Sequence, residues 1–463
     1  MAEAAFARRD IFESYPIPRA VMTLSVPTIL SSLVSVLYSL ADTYFVGLLN
    51  NPVQTAAVTL AAPVLLAFNA VNNLFGVGAS SMMSRALGRD DRKTLRQSAA
   101  FGFWGALTGG ALFALLCTAV RGPLLALLGA DAVTAGPTNA YLNWTVTLGA
   151  VPAILNVVMA YMVRSEGSSL HASIGTMSGC FLNILLDPLF ILPWGLNMGS
   201  AGAAMATCLS NCAAVCYFLV YLLVRRGKTM VCIDPRALKG LRGRVVAGVF
   251  GVGVPASIQN LLNVVSSTLF NNLAAPYGTA ALAAMGICTK VNMVPMYVAL
   301  GLSQGIMPLI SYNFASRNTK RMKDCFFFTA RLAVLFMVAV SVLFFLFPGT
   351  AVGLFIEDPE TVAYGTRFLR GLCLGIPLLG IDFLAVGVFQ ATGKGTYALV
   401  FALLRKLALE IPMLFLLNGL FGVNGLPYAQ PASELVMAAA AVAVLAHLFR
   451  SLDAPRAALP DDL

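Results

Sequence analysis

Residues 40–47 read Leu-Ala-Asp-Thr-Tyr-Phe-Val-Gly, and Asp42 is the one charged residue in an apolar run that starts near Ala20 and ends near Leu49. About 20 apolar residues in a helix cross a hydrocarbon core of roughly 30 Å, so this run is long enough to span a membrane. Lipid cannot solvate a carboxylate there. The group must pair, bind a cation or carry a proton, and its position alone makes Asp42 a functional candidate.

The rest of the chain has the same texture. Of its 463 residues 59% are hydrophobic and 11% charged, with a mean hydropathy of +0.82, which is not a soluble composition. Apolar stretches long enough to cross occur at 20–46, 53–83, 98–121, 137–162, 168–192, 199–224, 246–273, 279–311, 328–348, 364–390, 395–419 and 431–449. The expected fold is an all-α polytopic membrane protein with twelve transmembrane helices and no separate soluble domain. The formal charge of +10 does not point to nucleic acid, because Lys and Arg gather in alternate loops, most densely over 225–244. By the positive-inside rule both termini are cytoplasmic and the number of spans is even. The first run is too long for a signal peptide and lacks a small-residue cleavage site, so it is expected to stay as the first span.

The basic stretch after the sixth span reads as a joint between halves, and a repeat supports the cut. Gly78-Ala-Ser-Ser-Met-Met-Ser-Arg-Ala-Leu-Gly, followed by Lys93, aligns with Gly305-Ile-Met-Pro-Leu-Ile-Ser-Tyr-Asn-Phe-Ala, followed by Lys320, at an offset of 227. Val26-Pro27 with Val254-Pro255, Pro152 with Pro377 and Gly167 with Gly393 recur at nearly the same offset. The expected organisation is an N-terminal six-helix bundle over 1–224, a cytoplasmic linker over 225–245 and a C-terminal six-helix bundle over 246–463. Six spans per copy is an even number, so the copies enter from the same side. This is the parallel-repeat plan of many transporters, with a substrate site between the repeats.

Polar residues inside the spans carry the chemistry. Asn183 and Asp187 are four apart in the fifth span and share a helical face; Pro188 follows the acid and frees a backbone carbonyl. Thr207 adds a hydroxyl in the next span. Asp42, Asn183, Asp187 and Thr207 together offer two carboxylates and neutral oxygens, a set suited to sodium or to a shared proton; ordinary helix-to-helix hydrogen bonding is the other use of such residues. Pro27, fifteen residues before Asp42, either couples a helix kink to the charge state of the acid or is simply packed around.

The second half has a different inventory: Gln259, Asn260 and Asn263, then Lys290, Asn292 and Gln304, then Asp382, then Arg405 and Glu410. Asp382 is its leading functional acid. Arg405 and Glu410 either pair within the membrane or approach its surface, and Glu434, beside Pro431 and Ser433, reads as a helix-start group. Met285, Met293, Met296 and Met307 fall on one side of a helix, as packing or as an adaptable wall for varied ligands.

Other signals are discounted. Gly88-Arg-Asp-Asp-Arg-Lys is similar to a loop signature of major facilitator transporters and equally to a basic loop whose acidic pair starts a helix. The nine cysteines show no paired spacing, and Cys208, Cys212 and Cys216 line one helical face as small packing residues. His171 and His447 have no ligand spacing around them. With no Asp-rich pair of segments, serine elbow or histidine metal site, an enzyme is not expected.

With Pro27, Asp42, Asn183, Asp187-Pro188, Thr207 and Ser303-Gln-Gly-x-x-Pro308 in place, the chain resembles the MATE (multidrug and toxic compound extrusion) family over nearly its whole length. The most specific pieces are Ser-Leu-Ala-Asp-Thr-Tyr-Phe-Val-Gly at 39–47, Leu-Asn-Ile-Leu-Leu-Asp-Pro-Leu-Phe at 182–190 and Gly-Leu-Ser-Gln-Gly-Ile-Met-Pro at 301–308. The resemblance implies two pseudo-symmetric six-helix bundles forming a V, and export of small-molecule organic cations in exchange for protons or sodium, with no other cofactor. It implies a multi-pass protein of a prokaryotic inner (plasma) membrane, with nothing demanding more than a monomer. The cation site of similar prokaryotic members falls on Asp42, Asn183, Asp187 and Thr207 with Tyr141 as neighbour, and the kinking proline on Pro27. Candidates to line the substrate cavity are Tyr38, Tyr141, Gln259, Met285, Met293, Gln304 and Asp382. The chain departs from the branch with a glutamate in the seventh helix, where Gln259 stands, which favours the N-terminal site. The rival within transport is a flippase for a lipid-linked precursor, which would need a cationic cavity.

Overall fold

The computed structural model describes residues 9–49, 51–356 and 358–453. Among them no strand occurs. In chain order the helices are α1 Arg9–Glu13, α2 Ile17–Gly47, α3 Pro52–Gly88, α4 Arg92–Ala119, α5 Arg121–Leu127, α6 Ala135–Leu142, α7 Ala150–Ser165, α8 Ser169–Ile191 and α9 Ser200–Val224. The series continues with α10 Gly243–Ala274, α11 Thr279–Ala315, α12 Thr319–Leu346, α13 Pro348–Gly353, α14 Pro359–Cys373, α15 Ile376–Ala391, α16 Gly395–Leu403, α17 Ile411–Phe421 and α18 Ala429–Asp453. Two π-helical turns are inserted, Asn143–Leu148 after α6 and Leu404–Glu410 between α16 and α17.

Nine of the described helices are long and apolar enough to cross a membrane. Two further spans are bent pairs, 135–148 with 150–165 and 359–373 with 376–391, each turning by 47°. The remaining expected span, 395–419, is helical in three successive pieces, 395–403, the π turn 404–410 and 411–421, and the turn carries Arg405, Lys406 and Glu410. The repeat is visible in local detail. The two bends lie at Gly149 and Gly375, next to Pro152 and Pro377. Asp131 accepts from the amide and hydroxyl of Thr134, both at 2.7 Å, and 227 residues later Asp358 accepts from those of Thr361 at 2.9 and 2.6 Å. These bonds hold both loop carboxyls below the usual carboxylate range, so the caps are charged at neutral pH. Asp91 caps α4 through Thr94, and Asn318, its repeat equivalent, caps α12 through Arg321. Gly88-Arg-Asp-Asp-Arg-Lys is therefore a helix-starting loop.

The chain forms two compact units, and their boundary differs from the expected cut. One contains residues 9–15 and 30–257, the other 16–29 and 258–453. The division falls inside α2 and α10, two or three residues past Pro27 and Pro255. Each unit thus contains the opening part of a helix that finishes in the other: the first that of α10, the second that of α2.

Glycines explain the arrangement within each unit. In the first, α3 lies against the start of α10: a Cβ on Gly253 would sit 2.0 Å from the Leu74 carbonyl oxygen, and one on Gly78 2.3 Å from that of Val249. Ser257 donates to the Ala70 carbonyl at 2.6 Å across the same seam. In the second unit α11 lies against the start of α2, where Cβ atoms on Gly301 and Gly305 would sit 2.8 Å from Ile29 Cα and 2.6 Å from Ser25 Cα. Small residues let backbones approach this closely where no hydrophobic effect drives helices together.

The basic segment 225–242 folds onto the first unit. Trp104 Nε1 donates to the Ile233 carbonyl and Gln97 Nε2 to that of Gly240, both at 3.0 Å, and the buried Glu166 carboxylate accepts from the Met230 amide at 2.7 Å and the Thr229 hydroxyl at 2.8 Å. The first core packs Phe75, Phe103, Met159, Met162 and Phe218. The second packs Met285, Cys288, Phe368, Leu369 and Leu414.

Candidate cation-binding site

The first unit brings Asp42 from α2, Asn183 and Asp187 from α8, and Thr207 from α9 into one polar cluster. α8 runs unbroken through Pro188, which lacks an amide hydrogen and leaves the Ile184 carbonyl without its intrahelical donor. Asn183 and Asp187 are buried on the face this helix turns inward. In the amide orientation that satisfies both ends, Asn183 Nδ2 donates to Asp187 Oδ2 at 2.9 Å, and Asn183 Oδ1 accepts from the Thr207 amide at 3.0 Å and hydroxyl at 3.2 Å. Thr207 Oγ1 also lies 3.4 Å from the Tyr38 hydroxyl.

The other carboxylate oxygen, Asp187 Oδ1, is buried with no donor. Asp42 is near enough to act on Asp187 electrostatically, and both act on the hydroxyls of Tyr38 and Tyr141. Asp187 is buried and Asp42 half-buried, and two carboxylates that act on each other in a membrane span favour a neutralising partner. The arrangement therefore calls for one proton or one small monovalent cation. Four of the candidates and both tyrosines meet here. No group of three or more His, Cys, Asp or Glu side chains is placed to hold a metal ion among the described residues, so a bound ion would rely on Asp42, Asp187 and the neutral oxygens of Thr207 and Tyr38.

Sequence reasoning missed the continuation of this network. Asn211 Nδ2 donates to the Thr207 carbonyl at 2.9 Å, and Asn156 Nδ2 donates to Asn211 Oδ1 at 2.9 Å. Thr207 and Asn211 are four apart in α9, the same signal that paired Asn183 with Asp187, and Asn156 has no such mark in the sequence. A cavity of about 720 Å³ between the end of α2 and the starts of α3 and α6, lined by Asn51, Thr55, Thr59, Asp131 and Thr134, touches none of the expected residues.

The remaining candidates lie in the second unit, and several readings change there. Met285 is fully buried in the core with Cys288 and Phe368. Gln259, Met293 and Gln304 are half-buried, and Lys290 is exposed. Of the two readings of Arg405 and Glu410, the direct pair is not formed. Glu410 instead takes two bonds from Lys406, one turn earlier, at 2.9 and 2.7 Å, and a third from the Ser266 hydroxyl. Arg405 faces Glu434 at 3.8 Å and stacks over the Phe383 ring. Glu434 lies inside α18 and is fully buried, so it is the counter-charge of Arg405 rather than a helix-start group. Asp382 is buried beside both. His171 is held by Tyr217 and Arg225 in a structural contact.

Comparison with known proteins agrees with this architecture. The model of the family described as MatE matches residues 27–189 and 255–416, once per repeat. The chain is similar to the multidrug export protein MepA of Staphylococcus aureus, 32% identical over 435 residues and 94% of each chain. Its fold resembles an outward-facing multidrug resistance MATE family transporter of the MOP superfamily, with a TM-score of 0.88 at 24% identity over 94% of this chain and 96% of that one. It also resembles the Vibrio cholerae MATE transporter VcmN in its bent form, with a TM-score of 0.85 at 21% identity over 97% and 99%.

Proposed function

Because the chain belongs to the MatE family, we propose that it is a secondary active antiporter, exporting small-molecule organic cations and drugs in exchange for protons or sodium by alternating access. The observation that carries the coupling is the buried Asp187, tied through Asn183 and Thr207 to Tyr38, with the half-buried Asp42 acting on it electrostatically. Only a cation or proton makes such a pair electrically tolerable. The protein is a multi-pass membrane protein, and its place in this reading is a prokaryotic inner membrane, as a monomer with both termini cytoplasmic.

In this cycle Asp42 and Asp187 are ionised when they meet the outside, where they capture a proton or sodium ion. Neutralising the pair relaxes the carboxylate bonds to Asn183 and changes the packing of the part of α2 beyond Pro27. Drug affinity falls, drug leaves, and the loaded protein turns inward. A charge moving down ~100 mV contributes roughly 2.3 kcal/mol, enough to bias the cycle when the two states bind ligand differently. The flippase reading has less support, because the buried Arg405 and the half-buried Lys406 already face carboxylates.

The test is ethidium transport into everted vesicles under imposed pH or sodium gradients, with wild type beside Asp42→Asn and Asp187→Asn. Gradient-driven transport should disappear in both variants, and the gradient that drives wild type names the coupling ion. Undiminished transport in the variants would remove the assigned role of the pair.

A further inference from the structure

The seam between α3 and the start of α10 ends in a group of bases that the transport cycle leaves unused. The two helices run antiparallel along it. Cβ positions at Gly253 and Gly78 meet Leu74 and Val249, and further along one at Gly248 meets the Met82 sulfur at 2.8 Å. Met82, Val245 and Val249 form a small buried apolar cluster there. One turn onward on α3 stands Arg85 and one turn back on α10 stands Arg244, with Arg89 a further turn along α3. The three bases therefore gather where the seam ends.

Arg85 is half-buried, whereas Arg89 and Arg244 are exposed. Arg85 Nε donates to the Ser81 carbonyl at 3.3 Å, but its Nη2 is buried with no acceptor. The charged groups acting on it are Arg89 and Arg244, and among the described residues no carboxylate does so. The nearby loop acids are engaged by other bases: Asp90 pairs with Arg9, and Asp91 faces Arg242 at 3.6 Å while capping α4 through Thr94. A buried charged donor without an acceptor is costly, and like charges close by raise the cost. An anion removes both penalties.

We propose that Arg85, Arg89 and Arg244 form a binding site for a phosphate group at the end of the α3–α10 seam, with Arg85 at its base and the two exposed arginines at its rim. The orientation proposed above places this end on the cytoplasmic side. Phosphate fits the donor set because guanidinium forks match its oxygens, and one group can both accept from Arg85 Nη2 and screen its two neighbours. α10 begins at Gly243, so the positive end of its dipole lies beside Arg244 and adds to the attraction. Nothing lies within 4 Å of a Cβ built on Gly243, which leaves room beside the helix start. The same chemistry comes from two sources, the headgroup of an anionic phospholipid and a free phosphate compound. Either one, when bound, ties α3 to the opening part of α10.

Two measurements on the full-length protein in detergent test the site. Native mass spectrometry with equal amounts of phosphatidylglycerol and phosphatidylcholine reads lipid retention, and thermal unfolding with inorganic phosphate titrated against chloride at fixed ionic strength reads free phosphate. Arg89→Gln with Arg244→Gln removes the rim at exposed positions and should fold; Arg226→Gln with Lys228→Gln removes the same charge from exposed positions of the basic segment. The probe that binds wild type should bind about 10- to 30-fold more weakly to the rim variant and within about two-fold of wild type to the control. Arg85→Gln should match the rim variant, and if it does not fold the rim variant alone decides. Retention of phosphatidylglycerol without a phosphate response names the lipid headgroup, a phosphate response without lipid preference names a free phosphate compound, and both together name the group the two share. No response of wild type to either probe, an unaltered rim variant, or an equal loss in the control would each overturn the proposal.

Discussion

Asn183 is the hinge of the first cluster, because one amide serves an anion at one end and a neutral helix at the other. Its Nδ2 bond to Asp187 is charge-assisted, a class that contributes about 1.5–3 kcal/mol, whereas a neutral bond such as that to the Thr207 hydroxyl contributes about 1 kcal/mol. Asn183→Leu should therefore cut gradient-driven efflux about 10- to 100-fold at a limiting gradient, and Thr207→Val only about five-fold. Efflux rates measured across a series of gradients check the order; equal effects would mean that Asn183 acts through packing alone. The sequence showed these residues as a helical face and a nearby hydroxyl. It did not show Asn156 and Asn211, whose hydrogen bonds extend the chain beneath Thr207.

Helix pairs in this protein are held by close backbone approach, and the repeat places the same residue in the same role twice. Gly78 and Gly305, aligned in the sequence, each face the opening part of a long helix from the other repeat. A Cβ on Gly253, Gly78, Gly301 or Gly305 would meet backbone atoms at 2.0–2.8 Å, and overpacking of this kind costs about 1–3 kcal/mol. Gly286, in the same α11 as Gly301, has nothing within 4 Å of its Cβ position. Thermal unfolding in detergent should show Gly78→Ala, Gly253→Ala and Gly305→Ala melting early, while Gly286→Ala melts no earlier than wild type, as expected from the roughly 0.8–1 kcal/mol helix preference for Ala. A uniform response at all four would contradict the close-approach explanation.

The exchange of helix segments between units makes the chain harder to divide than its repeat suggests. A cut at the basic joint would give 1–242 and 243–463, but the first unit includes 243–257 and the second includes 16–29. Each fragment would then lack a segment that seals a glycine-lined helix face. The fragments should assemble only when produced together, co-purifying through a tag on either one, and 1–242 alone should aggregate or unfold at lower temperature. A stable, monodisperse 1–242 would show that the exchanged segment is dispensable. Pro27 and Pro255 stand just before the two crossing points, where a weakened helical ladder lets one helix serve two packing environments.

What local order decides was legible in the chain. Apolar length gave the spans, the spacing of Asn183 and Asp187 gave one helical face, the offset of 227 gave the repeat, and Asp91 gave a helix start, because each depends on residues a few positions apart or on simple periodicity. Packing between distant segments settled the rest. Arg405 lies five residues from Glu410 but pairs with Glu434, while Lys406 takes Glu410, since residues four apart on a helix are neighbours and Arg405 is turned toward α18. Met285 joins the core and α2 and α10 are shared between units because helix crossings, governed by contacts between residues hundreds of positions apart, fix which faces are buried. A sequence states that a buried acid needs a partner; only the packed helices say which one it has.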